Sequence, residues 1–149
     1  MHLPIHISPT DGVPIYQQIV QQVKYLVASG RLEPDAELPP IRTLAEQLVV
    51  NPNTVARAFQ NLEREGIIRT VPGGGTYVAS FAASGAGLLK TEKIRRLRPL
   101  VDQIAVEASQ LRLSSEDLHK LLDTALLELE KARRVRKSDP KIVPQEGDR

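Results

Sequence analysis

Apolar side chains recur at helical spacing in three segments of the first half of the chain. The first segment runs from Val13 to Ser29 and has Pro14 in its first turn, where the missing N–H group costs nothing. A second helix is predicted from Pro40 to about Leu48, and a third from Pro52 to Gly66. The apolar faces of these helices consist of Ile15, Ile19, Val23, Leu26, Val27, Ile41, Leu44, Ala45, Leu48, Val55, Phe59 and Leu62.

The pattern then changes from helix to strand. Residues 67–71 are rich in β-branched side chains, residues 72–75 read Pro-Gly-Gly-Gly, and residues 76–78 are again typical of a strand. These features predict a two-stranded β-hairpin. Residues 80–87 contain only Ala, Ser and Gly besides one Phe, which is typical of a linker.

The second half is predicted to be helical. From Ile94 to Leu111, apolar residues alternate in spacings of three and four, which is a heptad seam. Pro99 interrupts this seam, and proline inside a helix costs about 3 kcal/mol, so we expect either a kink or a short helix 87–97 followed by a second one from Pro99. Ser114 and Asp117 predict a capping box that begins a last helix. That helix has one apolar face, formed by Leu118, Leu121, Leu122, Ala125, Leu129 and Ala132.

The predicted fold class is mainly α with a small β-hairpin. Helix, helix, tight turn, helix and hairpin is the order of a winged helix-turn-helix, which we assign to residues 1–79. A linker at 80–87 separates it from a helical dimerisation domain at 88–137, and residues 138–149 are expected to form a disordered tail.

Composition narrows the function. The chain has 149 residues and no cysteine, which excludes disulfides, thiolate chemistry and Cys-ligated zinc. It has no apolar run near the roughly 18 residues of a membrane helix and no signal-peptide pattern, so we expect a cytoplasmic protein without membrane contact. The three histidines form no nucleophile-base-acid grouping, and we expect neither enzymatic activity, nor a cofactor, nor a metal. His119 and Asp123 share a helix face and could supply two metal ligands, but His119 is interpreted as a surface residue.

Residues 38–78, LPPIRTLAEQLVVNPNTVARAFQNLEREGIIRTVPGGGTYV, resemble the GntR family of bacterial transcription regulators, and PIYQQI at residues 14–19 resembles the family's first helix. The short two-helix tail and NPNTV at 51–55 are similar to the YtrA-like subfamily. Two positions depart from the wider family. Pro52 stands where other branches often have an arginine, and Pro40 replaces the usual Ser or Ala.

The third helix is the element suited to enter a major groove, because its first turn is polar. Asn53 has the amide that reads adenine, and Arg57 has the fork that reads guanine or clamps a phosphate. Thr54 and free N–H groups at the helix start would hold a phosphate. The resemblance adds an arginine at the start of the second helix and a Gly-rich wing. The predicted DNA-binding residues are Arg42, Thr43, Asn51, Pro52, Asn53, Thr54, Arg57, Gly73, Gly74, Gly75 and Thr76.

Each assignment has a purely structural alternative. Asn51 can be only an N-cap, Arg57 can pair with Asn61 or Glu63, and the three glycines can simply form a tight turn. Tyr77 is predicted to pack on the sheet instead of stacking on a base.

One winged helix makes too few contacts for tight specific binding, so we expect a homodimer on a palindromic operator in double-stranded DNA. The alternative for the C-terminal helices is an intrachain hairpin packed on the first domain. The predicted dimerisation residues are Ile94, Leu97, Val101, Ile104, Leu111, Leu118, Leu122 and Leu129.

Charge is divided unevenly along the chain. Residues 1–81 carry 6 basic and 7 acidic side chains, a net charge of −1, and residues 82–149 carry 14 basic and 11 acidic, a net charge of +3. The basic clusters at 95–98 and 133–137 are interpreted as solvated helix faces, because acidic residues are interleaved with them. The resemblance implies a repressor, in this subfamily commonly of an operon that encodes an ABC transporter, and the residues identify no effector. The alternative function is a non-regulatory architectural nucleic-acid-binding protein.

Overall fold

Five helices and three short strands follow the predicted order along the chain. The computed structural model describes residues 2–80 and 88–138, so most of the predicted linker and tail lies outside the described residues. Ser138, assigned to the tail, is the last residue of a helix. The elements are α1 Ile15–Ala28, β1 Glu37–Leu38, α2 Ile41–Leu48, α3 Pro52–Arg64, β2 Ile68–Val71, β3 Gly75–Val78, α4 Lys90–Leu111 and α5 Ser115–Ser138. A mainly helical fold with a small sheet is confirmed.

The sheet has three strands, where the sequence predicted two. Its order is β1-β3-β2 and both pairings are antiparallel, with Leu38 opposite Thr76 and Ile68 opposite Val78. The additional strand β1 lies in a polar, Pro-containing stretch and has only two residues. Such a short strand shows no alternation of polar and apolar positions, so its pairing with β3 defines it.

A single hydrophobic core lies between α1, α2, α3 and the sheet. Ile19, Val23, Leu44, Val55 and Leu62 are completely or almost completely buried in it, as the helical spacing predicted. Helices α1, α2 and α3 begin and end within one or two residues of the predicted bounds.

Two glutamines of α1 hold the N-terminal segment in place. The buried Gln18 donates from Nε2 to the carbonyls of Ser8 and Val13 at 2.8 Å, and its Oε1 accepts the N–H of Ser8 at 2.9 Å. Gln22, one turn later, bonds the N–H and carbonyl of His6 in the same way, at 2.9 and 2.7 Å. Each side-chain amide therefore bonds both the N–H and the carbonyl of one backbone residue, as a neighbouring strand would. These bonds fix the N-terminal segment on α1.

The described residues form two compact units. The first comprises residues 2–28 and 32–80 with 88–90, and the second comprises 91–138 with the short segment 29–31. Within the second unit, α4 is one helix that contains Pro99, not a helix 87–97 followed by another. A proline inside a helix removes one backbone hydrogen bond and its ring crowds the preceding turn, so a kink at Pro99 stays a prediction.

The predicted capping box at the start of α5 is confirmed. The N–H of Ser114 donates to Asp117 Oδ2 at 3.0 Å, and the N–H of Asp117 donates to Ser114 Oγ at 3.1 Å. The hydroxyl of Ser114 also donates to this carboxylate at 2.7 Å, and these bonds lower the pKa of Asp117. The cap therefore favours folding above the ordinary pKa of aspartate and loses its effect as the pH falls through the lowered value.

Candidate nucleic-acid interface

The first turn of α3 is capped by Asn51. Its Oδ1 accepts the N–H of Asn53 at 2.8 Å, and its backbone carbonyl accepts the N–H of Thr54 at 2.9 Å. Pro52 follows as the first helical residue and has no N–H group. The expectation that free N–H groups at this helix start hold a phosphate is therefore wrong, because the cap already uses them.

The side chains of this turn remain available. Asn51, Pro52 and Asn53 are exposed and Thr54 is half-buried. The cap uses only Oδ1 of Asn51, which leaves its Nδ2 donors, and the amide of Asn53 has no partner among the described residues. Capping and nucleic-acid contact by Asn51 are thus compatible.

The start of α2 lies beside this turn. Pro40 is its N-cap and makes no side-chain cap hydrogen bond, and Arg42 and Thr43 follow with exposed side chains. Arg42 lines an open depression of about 750 Å³ together with Asn51 and Pro52. The structure thus brings Arg42 of α2 to one surface with Asn51 and Pro52 at the start of α3.

The turn between α2 and α3 contains a strained residue. Val49 has φ 55° and ψ 51°, the left-handed conformation that a β-branched side chain rarely adopts. Its N–H donates to the carbonyl of Glu46 at 3.3 Å, and the N–H of Val50 donates to that of Ala45 at 3.0 Å, which closes α2. Because 89% of Val49 is exposed, packing does not compensate for this strain.

Val49→Gly is therefore expected to raise the free energy of unfolding by about 1 kcal/mol, since glycine adopts this conformation without a Cβ clash. Val50→Gly is the matched control. Val50 is half-buried against the core and has a negative φ, so its replacement should lower stability. Urea denaturation of both variants measures the difference, and a Val49→Gly protein less stable than the wild type would contradict the strain argument.

Arg57 lies on the exposed side of α3, one turn after Asn53. Its guanidinium carbon stands 3.9 Å from the centroid of the Tyr16 ring, on α1. It pairs with neither Asn61 nor Glu63, the partners that its own helix offers, and Asn61 accepts a hydrogen bond from Arg64. The sequence did not predict the contact with Tyr16, and its only signal for this contact was the aromatic residue in PIYQQI.

The wing is the tight turn between β2 and β3. Gly75 has φ 97°, and a Cβ on Gly74 would lie 2.8 Å from the side chain of Val71, so the turn itself requires glycine at both positions. Gly73 and Thr76 flank them. The contribution of these residues to DNA contact stays a prediction, since their conformation alone explains the glycines.

The base of the wing is held by a further arginine that the sequence did not single out. Arg69 lies over the ring of Tyr77 at 4.9 Å and pairs with Asp35 at 3.0 Å. The hydroxyl of Tyr77 donates to the carbonyl of Gly74 at 2.6 Å. Tyr77 therefore packs on the sheet, as predicted, and ties the wing tip to its base.

The basic cluster of α4 is paired within its own helix. Arg95 and Arg96 both contact Glu92, at 3.0 and 3.3 Å, and Arg98 contacts Asp102 at 2.9 Å. The hydrogen bond from Arg95, more than that from Arg96, lowers the pKa of Glu92. These pairs favour the solvated-face interpretation for 95–98. The side chains of Arg136 and Lys137 lie outside the described part of the second cluster.

The C-terminal unit exposes most of its apolar side chains. Among the side chains described in α4 and α5, only that of Ala108 is buried. Among the described helices, α1 and α2 pack along α3 in the first unit. Helices α4 and α5 do not pack along each other in this way. Of the predicted dimerisation residues, Leu118 and Leu129 are half-buried, and the exposed ones are Ile94, Leu97, Val101, Ile104, Leu111 and Leu122.

Near the turn between α4 and α5 these side chains form a groove. Leu100, Ile104, Leu111 and Leu118 are among the residues that line it, and its volume is about 460 Å³. His119 makes a local contact of 2.6 Å between Nδ1 and the carbonyl of Ser115. In the described ranges, no three His, Cys, Asp or Glu side chains lie together as a metal site would need. No helix described here is long and apolar enough to cross a membrane.

Comparison with known proteins identifies the family. Residues 15–78 match the bacterial regulatory proteins of the gntR family. The HTH-type transcriptional repressor YtrA of Bacillus subtilis (strain 168) is 39% identical over 116 residues, which cover 78% of this chain and 87% of that protein.

Two solved structures extend the likeness beyond the helix-turn-helix. A protein described as a transcriptional antiterminator from Listeria monocytogenes EGD-e superposes with a TM-score of 0.72 at 33% identity, over 87% of this chain and 92% of that one. YtrA from Sulfolobus acidocaldarius, a GntR-family transcription factor, has a TM-score of 0.55 at 32% identity, over 69% and 97%. The chain therefore belongs to the GntR family of bacterial regulatory proteins, with a DNA-binding helix-turn-helix at residues 15–78.

Proposed function

We propose that this regulator acts as a homodimer on a palindromic operator and represses transcription from it. The observation that carries this proposal is the apolar surface of α4 and α5, in which only Ala108 is buried among the described side chains. Two helices with so little buried surface do not hold a defined structure by themselves. A second copy supplies the missing contacts through the same face, since symmetric dimers use one self-complementary patch.

Within each half-site, α3 is assigned to the major groove. Asn53 and Arg57 have the donor and acceptor groups that read base edges, adenine by the amide and guanine by the guanidinium. Asn51 Nδ2, Thr54 and Arg42 are assigned to phosphates, which fix the position of the helix in the groove. The wing, through Gly73 to Thr76, is assigned to the neighbouring backbone or minor groove.

The charge of the first 81 residues supports binding with few phosphate contacts. The first 81 residues have a net charge of −1, and Arg69 is already paired with Asp35. Binding then depends on a few arginines and on symmetry, not on a general basic surface. We expect a salt dependence that corresponds to only a few phosphate contacts per subunit.

The regulated gene is proposed from the similarity to known regulators. The similar Bacillus subtilis protein is a transcriptional repressor. The YtrA-like resemblance implies an operon that encodes an ABC transporter. The DNA upstream of the chain's own gene is therefore the first fragment to test.

Footprinting on that fragment is expected to show two protected half-sites of one inverted repeat, with centres about 10 base pairs or a multiple of this apart. Sedimentation of the free protein at micromolar concentration should give a dimer. Equal protection of unrelated sequences would favour an architectural protein instead, and a monomer that protects only one half-site would refute the symmetric model.

A further inference from the structure

We propose that Tyr16 is a positioning residue for DNA recognition, because its ring is a platform that holds the Arg57 guanidinium ready for contact. The inference rests on the proposed function, in which Arg57 touches the operator. The guanidinium carbon lies 3.9 Å from the ring centroid, well within the range of a cation–π contact.

The platform is itself rigidly placed. Tyr16 is the second residue of α1, is half-buried and packs against the hydrophobic core. Helix α1 packs along α3, so the ring is fixed relative to the helix that carries Arg57. Its hydroxyl accepts a hydrogen bond from Gln17 Nε2 at 3.2 Å.

A ring holds an arginine differently from a carboxylate. Arg69 pairs with Asp35 and Arg98 with Asp102, contacts that consume N–H donors and offset the positive charge. In the described part of the chain, no carboxylate pairs with Arg57. Contact with the ring face restricts the guanidinium group and leaves its five N–H donors and its full charge for DNA.

Such a contact also lowers the entropy cost of binding. A free arginine side chain loses rotamer freedom when it is fixed in a complex, and this loss opposes binding. Tyr16 restricts Arg57 before DNA arrives. The ring therefore acts on affinity through the arginine and has no need to touch DNA itself.

The test varies the electrostatics of the ring at nearly constant shape. Tyr16 is replaced by phenylalanine and then by phenylalanines with increasing fluorine substitution, and affinity is measured for the duplex that the wild-type protein selects from a random pool. Phenylalanine should stay within about threefold of the wild type, and increasing fluorination should weaken binding progressively to about tenfold. Thermal unfolding should stay level along the series, because the rings are similar in size.

The same series in an Arg57→Ala background is the control, and there fluorination should have no effect. A flat series with intact Arg57, or an equal decline without it, would overturn the role of Tyr16 while leaving the regulator intact. A wild-type protein that selects no sequence from the pool would instead contradict the proposed function.

Discussion

Ile104→Glu is expected to convert the dimer to monomers and to lower operator affinity by at least about a hundredfold. Ile104 lies at the middle of the α4 seam, lines the apolar groove and is 53% exposed in the single chain. A symmetric interface brings two copies of each residue into one apolar region, so the substitution places two unpaired carboxylates there. Once the copies separate, each monomer must bind its half-site independently. The gain in affinity that comes from joining two DNA-binding units in one dimer is then lost.

Val106→Glu provides a matched control. Val106 lies on the same helix, is 58% exposed, and sits on the opposite side of α4, because two residues advance the helix by about 200°. The Val106→Glu protein should remain dimeric and bind the operator as the wild type does. Sedimentation velocity gives the oligomeric state, and circular dichroism confirms that the first unit stays folded. An Ile104→Glu protein that is still dimeric at micromolar concentration would rule out this face as the interface.

Local signals made α3 predictable. Asn51 as N-cap, Pro52 as first helical residue and the apolar spacing of Val55, Phe59 and Leu62 all act within a few residues of sequence, and α3 forms as they indicate. The Ser114 and Asp117 cap of α5 is predictable for the same reason. Hydrogen bonds that span three residues depend little on the rest of the fold.

Contacts between distant segments were not predictable in the same way. The local pattern around Arg57 offered only neighbours on its own helix, whereas its actual partner, Tyr16, reaches it through the packing of α1 on α3. Likewise, β1 is a strand only because β3 lies beside it. Both features depend on tertiary packing, which follows from the whole core.

Two expectations about the start of α3 were incompatible. A capped helix and a helix with free N–H groups cannot both occur at the same residues, and the Asn51 cap takes the N–H groups of Asn53 and Thr54. In the proposed complex, phosphate contact at this point therefore falls to side chains, among them Arg57 and the Asn51 amide.

Arg57→Ala is accordingly expected to weaken operator binding by about 1–3 kcal/mol per half-site if the guanidinium reads a base, and by about twice that for a dimer that uses it at both half-sites. The loss should also relax sequence preference at one base pair in each half-site. Arg57→Lys separates the two possible contacts. Lysine keeps the charge but lacks the planar fork, so it restores a phosphate contact and not the recognition of guanine.

Arg64→Ala is the control on the same helix, since it removes the same charge from a side chain that is hydrogen-bonded to Asn61 near the end of α3. Footprint titrations at several salt concentrations compare the three variants. A base contact predicts a large loss for alanine and for lysine, with little change in salt dependence. A phosphate contact predicts rescue by lysine and, for alanine, a slope reduced by about one per half-site. Wild-type affinity of Arg57→Ala would remove Arg57 from the interface and leave Asn53 as the base-reading residue of α3.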